Sequence, residues 1–350
     1  MIRPLARIFF AAALGVLFVP ATQVLAQQHV PPAPDTSAQQ PSSAPDQSAV
    51  PQAPGSQEPN APAPSGPPKF PPPDPANFTA TSPTKEVVDA FLQANWGYDQ
   101  DRMWQVQAIL KTPVEGVSKV IIFAGDRTGK QPAGSLTFFV LPDGKHIITG
   151  DSIVDFGARP FADTRQQMQL HADGPYRGSA SKDLELVEFA DFQCPHCKAA
   201  QANIDKLVTD FPKARIVFQP FPIPSIHPES MQAAEYGACV AKQGGSNDFF
   251  QFAAAVFDGQ EGLATADGAT LTLNSAVAKT GLDPTKVAAC AATPEVKAAV
   301  EASIKFGTEA GINQVPTLVI NGRQIPANVP YEVLKKIVEY QEKLDGIAGQ

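Results

Sequence analysis

Phe189-Ala190-Asp191-Phe192-Gln193-Cys194-Pro195-His196-Cys197 is the stretch on which the reading of this chain turns. It lies where an apolar strand pattern, 183–192, gives way to a helical one, 195–210, with Ala200, Ile204, Leu207 and Val208 on one face. A helix start presents unpaired N–H groups and the positive end of the macrodipole, so a thiolate at Cys194 is favoured over the thiol. Pro195 suits the first helical position, where the N–H it lacks would have had no partner. His196 can add positive charge or a donor beside the same sulfur. The pattern predicts an acidic, exposed Cys194 that attacks or is attacked, and a more buried Cys197 that closes the disulfide.

Other uses of two close cysteines fit the sequence less well. A zinc ribbon needs a second close pair, whereas the remaining cysteines, Cys239 and Cys290, are 51 positions apart. Attached c-type haem needs histidine directly after the second cysteine, and Lys198 stands there. A purely structural disulfide remains open, although so small a loop makes a poor staple. No metal and no cofactor beyond the Cys194/Cys197 pair is expected.

Downstream, 215–221 reads as a second strand, and a mostly helical stretch follows over 227–311. Strand patterns at 317–320 and 323–325 flank Asn321-Gly322, a strong short hairpin signal. A last helix covers 331–344 with Val333, Leu334, Ile337 and Val338 inward. The order over 174–350 is strand, helix, strand, helical insertion, hairpin, helix.

Upstream, 78–157 reads as a small α+β unit: a helix bearing Val87, Val88, Phe91 and Leu92, then strand runs 104–110, 117–124, 135–141 and 146–153. Pro142-Asp143-Gly144-Lys145 is a hairpin turn. No nucleophile, ligand cluster or phosphate loop stands out in this unit, which suits holding better than reacting. A partly helical connector, 158–173, joins it to the rest.

The amino-terminal stretch is of another kind. Of 35 prolines, 16 fall within residues 27–77, a Pro/Ala/Gln/Ser-rich segment that cannot bury enough apolar surface to offset its ordering entropy and reads as a disordered, extended linker. Before it, Arg3 and Arg7 precede an apolar run, 8–19, and Val24-Leu25-Ala26 fits a small-residue cleavage rule with the cut after Ala26. Twelve residues fall short of the roughly 20 needed to span a bilayer. An export signal is expected over 1–26, with an uncleaved membrane tether as the alternative, and export places the cysteines in an oxidising periplasmic or secreted setting. The net charge of −8, from 27 Lys+Arg against 35 Asp+Glu, gives no footprint for nucleic acid.

The quoted stretch, taken with Gly311-Ile312-Asn313-Gln314-Val315-Pro316-Thr317 about 120 residues later, resembles the thioredoxin-like thiol:disulfide oxidoreductases of the bacterial DsbA type over about 180–345. The fold this implies is α/β: a thioredoxin fold with an inserted helical subdomain, preceded here by the small α+β domain and the linker. The resemblance also implies a cis bond between Val315 and Pro316 facing the disulfide, with the backbone at Val315 pairing with an extended substrate peptide. From the residues alone the alternative for Pro316 is an ordinary turn before a strand. Glu188 stands where the family keeps a buried acid, and strand parity puts it on one face with Leu184 and Leu186; burial would raise its pKa and let it exchange a proton with Cys197, unless it is a structural glutamate paired with a lysine. Cys239 and Cys290 fall where some relatives carry a second disulfide, a pairing that spacing cannot prove against two free thiols.

A weaker resemblance links Phe139-Val140-Leu141-Pro142-Asp143-Gly144-Lys145-His146-Ile147-Ile148 to the end of the dimerisation domain of the DsbC and DsbG isomerases. The function these resemblances imply is an exported thiol:disulfide oxidoreductase that oxidises secreted proteins. The alternatives are a dimeric isomerase or reductase, and a peptide-binding chaperone module without turnover. The implied partners are unfolded or partly folded secreted clients, a membrane redox partner that resets the disulfide, and, for the isomerase, a second copy through the amino-terminal domain.

Overall fold

The structure, a computed structural model, describes residues 67–129, 133–150 and 152–347. The expected signal segment, its cleavage after Ala26, and most of the proline-rich segment lie outside the described residues. All described residues fall in one compact unit.

Two five-stranded sheets organise them. The first is an antiparallel meander in chain order: β1 (Arg102–Lys111), β2 (Ser118–Asp126), β3 (Gly134–Val140), β4 (His146–Thr149) and β5 (Ser152–Asp155). Period-two alternation buries Val120, Ile122 and Ala124 of β2 on one face, where α1 (Lys85–Trp96) lays Val88, Phe91 and Leu92 against them. Thr84 caps that helix, accepting from the N–H of Val87. On the outer face Phe139, Ile148 and Ile153 are cross-strand neighbours and remain exposed.

The run expected as one strand over 146–153 is two. Gly150, at φ +60°, reverses the chain, so Ile147 pairs with Val154 and Ile148 with Ile153. The break lies in the sequence itself, where the polar run Thr149-Gly150-Asp151-Ser152 separates Ile147-Ile148 from Ile153-Val154.

The connector holds α2 (Ala162–His171) and an unanticipated edge strand, β6 (Tyr176–Gly178). The second sheet has the order β10-β9-β7-β8-β6. Its centre, β7 (Glu185–Ala190), is buried throughout, parallel to β8 (Arg215–Pro220) and antiparallel to β9 (Thr317–Ile320). The crossover from β7 to β8 is α3 (Pro195–Asp210), over the span expected. Asn321 at φ +44° and Gly322 at φ +93° turn β9 into β10 (Arg323–Pro326). α8 (Tyr331–Leu344) then packs Leu334, Ile337 and Val338 on this sheet.

Between β8 and β9 lies the helical insertion: α4 (Ser230–Asp258), broken at Gly245 where φ is +77°, then α5 (Ala266–Lys279), α6 (Pro284–Ala291) and α7 (Pro294–Glu309). It is tied to the sheet by an aromatic cluster in which Phe192 meets Phe218, Phe249, Phe252 and Phe257 at centroid distances of 5.1–6.2 Å. Cys239 and Cys290 are joined in a disulfide between α4 and α6. Among the described residues no helix is long and apolar enough to cross a membrane.

The two sheets are fastened through Arg323. Its buried guanidinium donates to the carbonyls of Ala94 and Asn95 at the end of α1, while Nε donates to Gln341 at 3.2 Å. The ring of Phe161 lies 4.2 Å from it.

Replacing Cys239 and Cys290 together by alanine is expected to lower stability by about 4 kcal/mol, the chain-entropy cost of freeing a loop of this length. Urea unfolding of the oxidised proteins would measure it, and equal midpoints would contradict it.

Candidate active site

The site grows from the end of β7. Because the strand is buried on both faces, its last residues emerge from the core already ordered, and α3 starts directly after them. Cys194 is the N-cap of α3 (φ −77°, ψ 120°), and its carbonyl accepts the N–H groups of Cys197 and Lys198 at 3.1 and 3.2 Å. Pro195 fills the first helical position.

The two sulfurs sit in unequal surroundings. The Cys194 thiol is lowered to about 6, first by a hydrogen bond from the Cys197 thiol, then by the main-chain N–H groups of Cys197 and His196 and by the charge of His227; burial opposes them. Cys197 is fully buried and is pushed far above the ordinary thiol range, chiefly by burial and then by donating to Cys194. Both are free thiols here.

One expectation needs correction. Cys194 is not exposed: only 5% of its surface is accessible. The insertion covers it, and Gln260 Nε2 donates to the carbonyls of Phe192 (2.7 Å) and Cys194 (3.0 Å). The charge felt by its sulfur comes from His227, while His196, with an exposed side chain, contributes its main-chain N–H.

Glu188 is buried on β7, and burial raises its carboxyl to about 7. Its partner is a glutamine rather than a lysine: Gln201 Nε2 donates to Glu188 Oε1 at 2.7 Å and to the Cys197 carbonyl at 3.2 Å. Glu188 also acts electrostatically on Cys197. A single amide thus joins the acid to the turn that carries the buried sulfur.

The Val315–Pro316 bond is cis, and Val315 packs on the cluster that contains Cys194 and Cys197. The Pro316 carbonyl accepts the N–H of Ala327 at 3.0 Å. Among the described residues, the main-chain N–H and C=O of Val315 have no partner.

Sequence reasoning passed over three residues that the fold brings to this site. His227, one turn of chain before α4, served only as a boundary mark. Asp191, although within the motif, had no assigned role, and Gln201 is a polar residue at the edge of the apolar face of α3. The spacing of Asp191 three positions before Cys194 was the available signal for one of them.

Residues 171–340 match the family model described as Thioredoxin; the match takes in none of residues 78–157. Among curated proteins, a 68-residue stretch is 35% identical to the Na(+)/H(+) antiporter NhaA 3 of Salinispora tropica, covering 19% of this chain and 10% of that protein. A 164-residue stretch is 27% identical to the Na(+)/H(+) antiporter NhaA of Herminiimonas arsenicoxydans, covering 47% and 25%. The chain thus spans a quarter or less of these relatives. Among solved structures, a periplasmic thioredoxin-like protein from Salmonella enterica serovar Typhimurium is 22% identical, with a TM-score of 0.41, over 52% of this chain and 95% of that one. The thiol-disulfide exchange protein alpha-DsbA2 from Wolbachia pipientis is 21% identical, with a TM-score of 0.44, over 51% and 96%. The strand order, the helix that opens just after Cys194 and the family match agree on a thioredoxin-like fold over residues 171–340.

Proposed function

We propose that this chain is an exported thiol:disulfide oxidoreductase that forms disulfides in secreted proteins through Cys194 and Cys197. The observation that carries the reading is the inequality of the two sulfurs, one lowered to about 6 and the other raised, beside a buried carboxyl near 7. Export rests on the pattern of the first 26 residues.

In the forward direction a client thiolate attacks Cys194 of the disulfide. A client–Cys194 bond forms, the Cys194–Cys197 bond breaks, and Cys197 leaves with the electron pair into an apolar setting that disfavours its charge. Glu188, protonated over part of the physiological range, supplies the proton through the Gln201-linked site. A second client thiolate then attacks the client sulfur of the mixed disulfide. Cys194 leaves as a stabilised thiolate, and both electrons remain on the enzyme until a redox partner removes them. The unpaired main-chain groups of Val315 suit an extended client segment added as a strand.

The same values favour the oxidising direction. At pH 7 a thiol near 6 is about nine-tenths ionised, which stabilises the reduced fold by about 1.4 kcal/mol over a thiol near 9. A stabilised reduced form makes the disulfide the stronger oxidant. Isomerisation is the second reading, and the exposed Phe139, Ile148 and Ile153 favour it, because a face of that kind can pair two copies.

Thiolate absorbance of the reduced protein is expected to rise with a midpoint near pH 6; a midpoint near 8.5, that of a free thiol, would leave a binding module without exchange chemistry. Cys194→Ala should abolish oxidative refolding of a reduced client, and Cys197→Ala should trap client mixed disulfides. Refolding of a scrambled client whose rate per molecule grows with protein concentration would instead favour the dimeric isomerase.

Glu188→Gln is expected to slow the first attack, in which Cys197 leaves, about tenfold or more with little change in the release of oxidised client, since only the Cys197 sulfur needs the acid. It also changes stability in a set direction. A carboxyl moved from 4.5 up to about 7 contributes stability that is complete below pH 4.5 and lost as pH rises to 7, about 3 kcal/mol in all. The glutamine variant should lack that decline in urea unfolding between pH 4.5 and 7, and an unchanged slope would contradict the burial of a titrating acid.

A further inference from the structure

The chain comes onto the first sheet over its outer face. Residues 68–73, Pro-Lys-Phe-Pro-Pro-Pro, cross β1 and β2 on the side opposite α1, where register sets Gln105 beside Phe123, out of step with the inward Val106 and Ile122. Gln105 Nε2 and Gln107 Nε2 both donate to the Pro71 carbonyl, at 3.2 and 3.1 Å. The Phe70 ring meets that of Phe123 at a centroid distance of 6.1 Å. At the far side of the crossing Pro68 lies on Gly125, where a Cβ would stand 2.8 Å from Pro68 Cγ. Gly125 does not adopt a positive φ, so what a side chain there would disturb is the approach of the proline and not the backbone of β2.

A run of prolines has no N–H groups, so its carbonyls are the only polar main-chain groups it offers, and a surface that reads it must donate. β1 donates with two side-chain amides that meet on one oxygen. The pairing of β1 with β2 slips between Val106 and Ala108, leaving Gln107 without a partner on β2, and a bulge of this kind re-aims a side chain. An aromatic ring is the other element with which polyproline-II segments are gripped. We propose that Gln105, Gln107 and Phe123, with the notch at Gly125, form a polyproline-docking site on the outer face of the first sheet, occupied by the chain's own residues 68–73 as a strap. The ligand it fits is an extended segment in which an aromatic residue leads a run of prolines. Phe70 is the one phenylalanine within residues 27–77, and it fixes which prolines of that stretch dock. A segment already extended before it binds loses little freedom on docking. The strap carries the anchorage of the linker two strands into the sheet, and it does not depend on the exchange chemistry at Cys194.

Lys69 lies inside the strap and is the only lysine or arginine between Arg7 and Lys85, so trypsin reports on docking directly. Cleavage after Lys69 in the full protein should be about tenfold or more slower than in a free peptide of residues 62–76, because the protease needs the segment released. Gln105→Ala together with Gln107→Ala should speed that cleavage about three- to tenfold, the effect of losing the hydrogen bonds to Pro71. Gly125→Val suits a strand but fills the notch, and it should release the strap by an independent route if the glutamine pair does not fold. Phe70→Ser with Pro71→Ser empties the site. That protein should bind the labelled 62–76 peptide, read by fluorescence anisotropy up to millimolar protein, and adding the two glutamine substitutions should weaken the binding about threefold or more. Cleavage of the unsubstituted protein as fast as that of the free peptide would overturn the proposal. So would a resistant Lys69 in a protein whose emptied site ignores the peptide, since the strap would then be a packed edge held only by its covalent connection.

Discussion

The burial of β7 on both faces is the constraint from which the site follows. A strand enclosed between layers can leave the sheet only at its end, and here it leads into a helix whose N-cap is a cysteine. At three-residue intervals the same segment supplies an enclosed acid, a carboxylate anchor and a sulfur: Glu188, Asp191 and Cys194. None of the three needs a mobile loop to place it. Their positions are inherited from the packing of Leu186, Val187 and Phe189, which are wholly buried.

The chemistry draws on polar groups that the core would be more stable without. Glu188 sits where its charge has no solvent and one amide partner, and Cys197 lies where its thiolate is disfavoured. Such strain on the charged forms is what separates the two sulfurs in reactivity. Compensation comes from elsewhere: the phenylalanine cluster around Phe192, the disulfide between α4 and α6, and Arg323 holding the end of α1.

Much of this was legible beforehand because it depends on near neighbours. The bounds of α3 and α8, the Asn321-Gly322 turn and the placement of Cys194 at a helix start all follow from local periodicity and turn chemistry. What was missed depends on distant partners. β6 is three residues long and exists because β8 offers an edge to pair with. The cover over Cys194 comes from Gln260, 66 positions away, and the Asp191–His227 bond closes across 36. The burial of Glu188 could be argued from strand parity, but its partner Gln201 lies on the following helix, beyond any single-strand pattern.

Pro195 and His196 have exposed side chains at the lip of this site, and none of the four core clusters includes either. The dipeptide between the cysteines is therefore free to drift in sequence without loosening the interior. Exchange of either side chain reshapes the rim above Cys194, while the architecture underneath stays as it was.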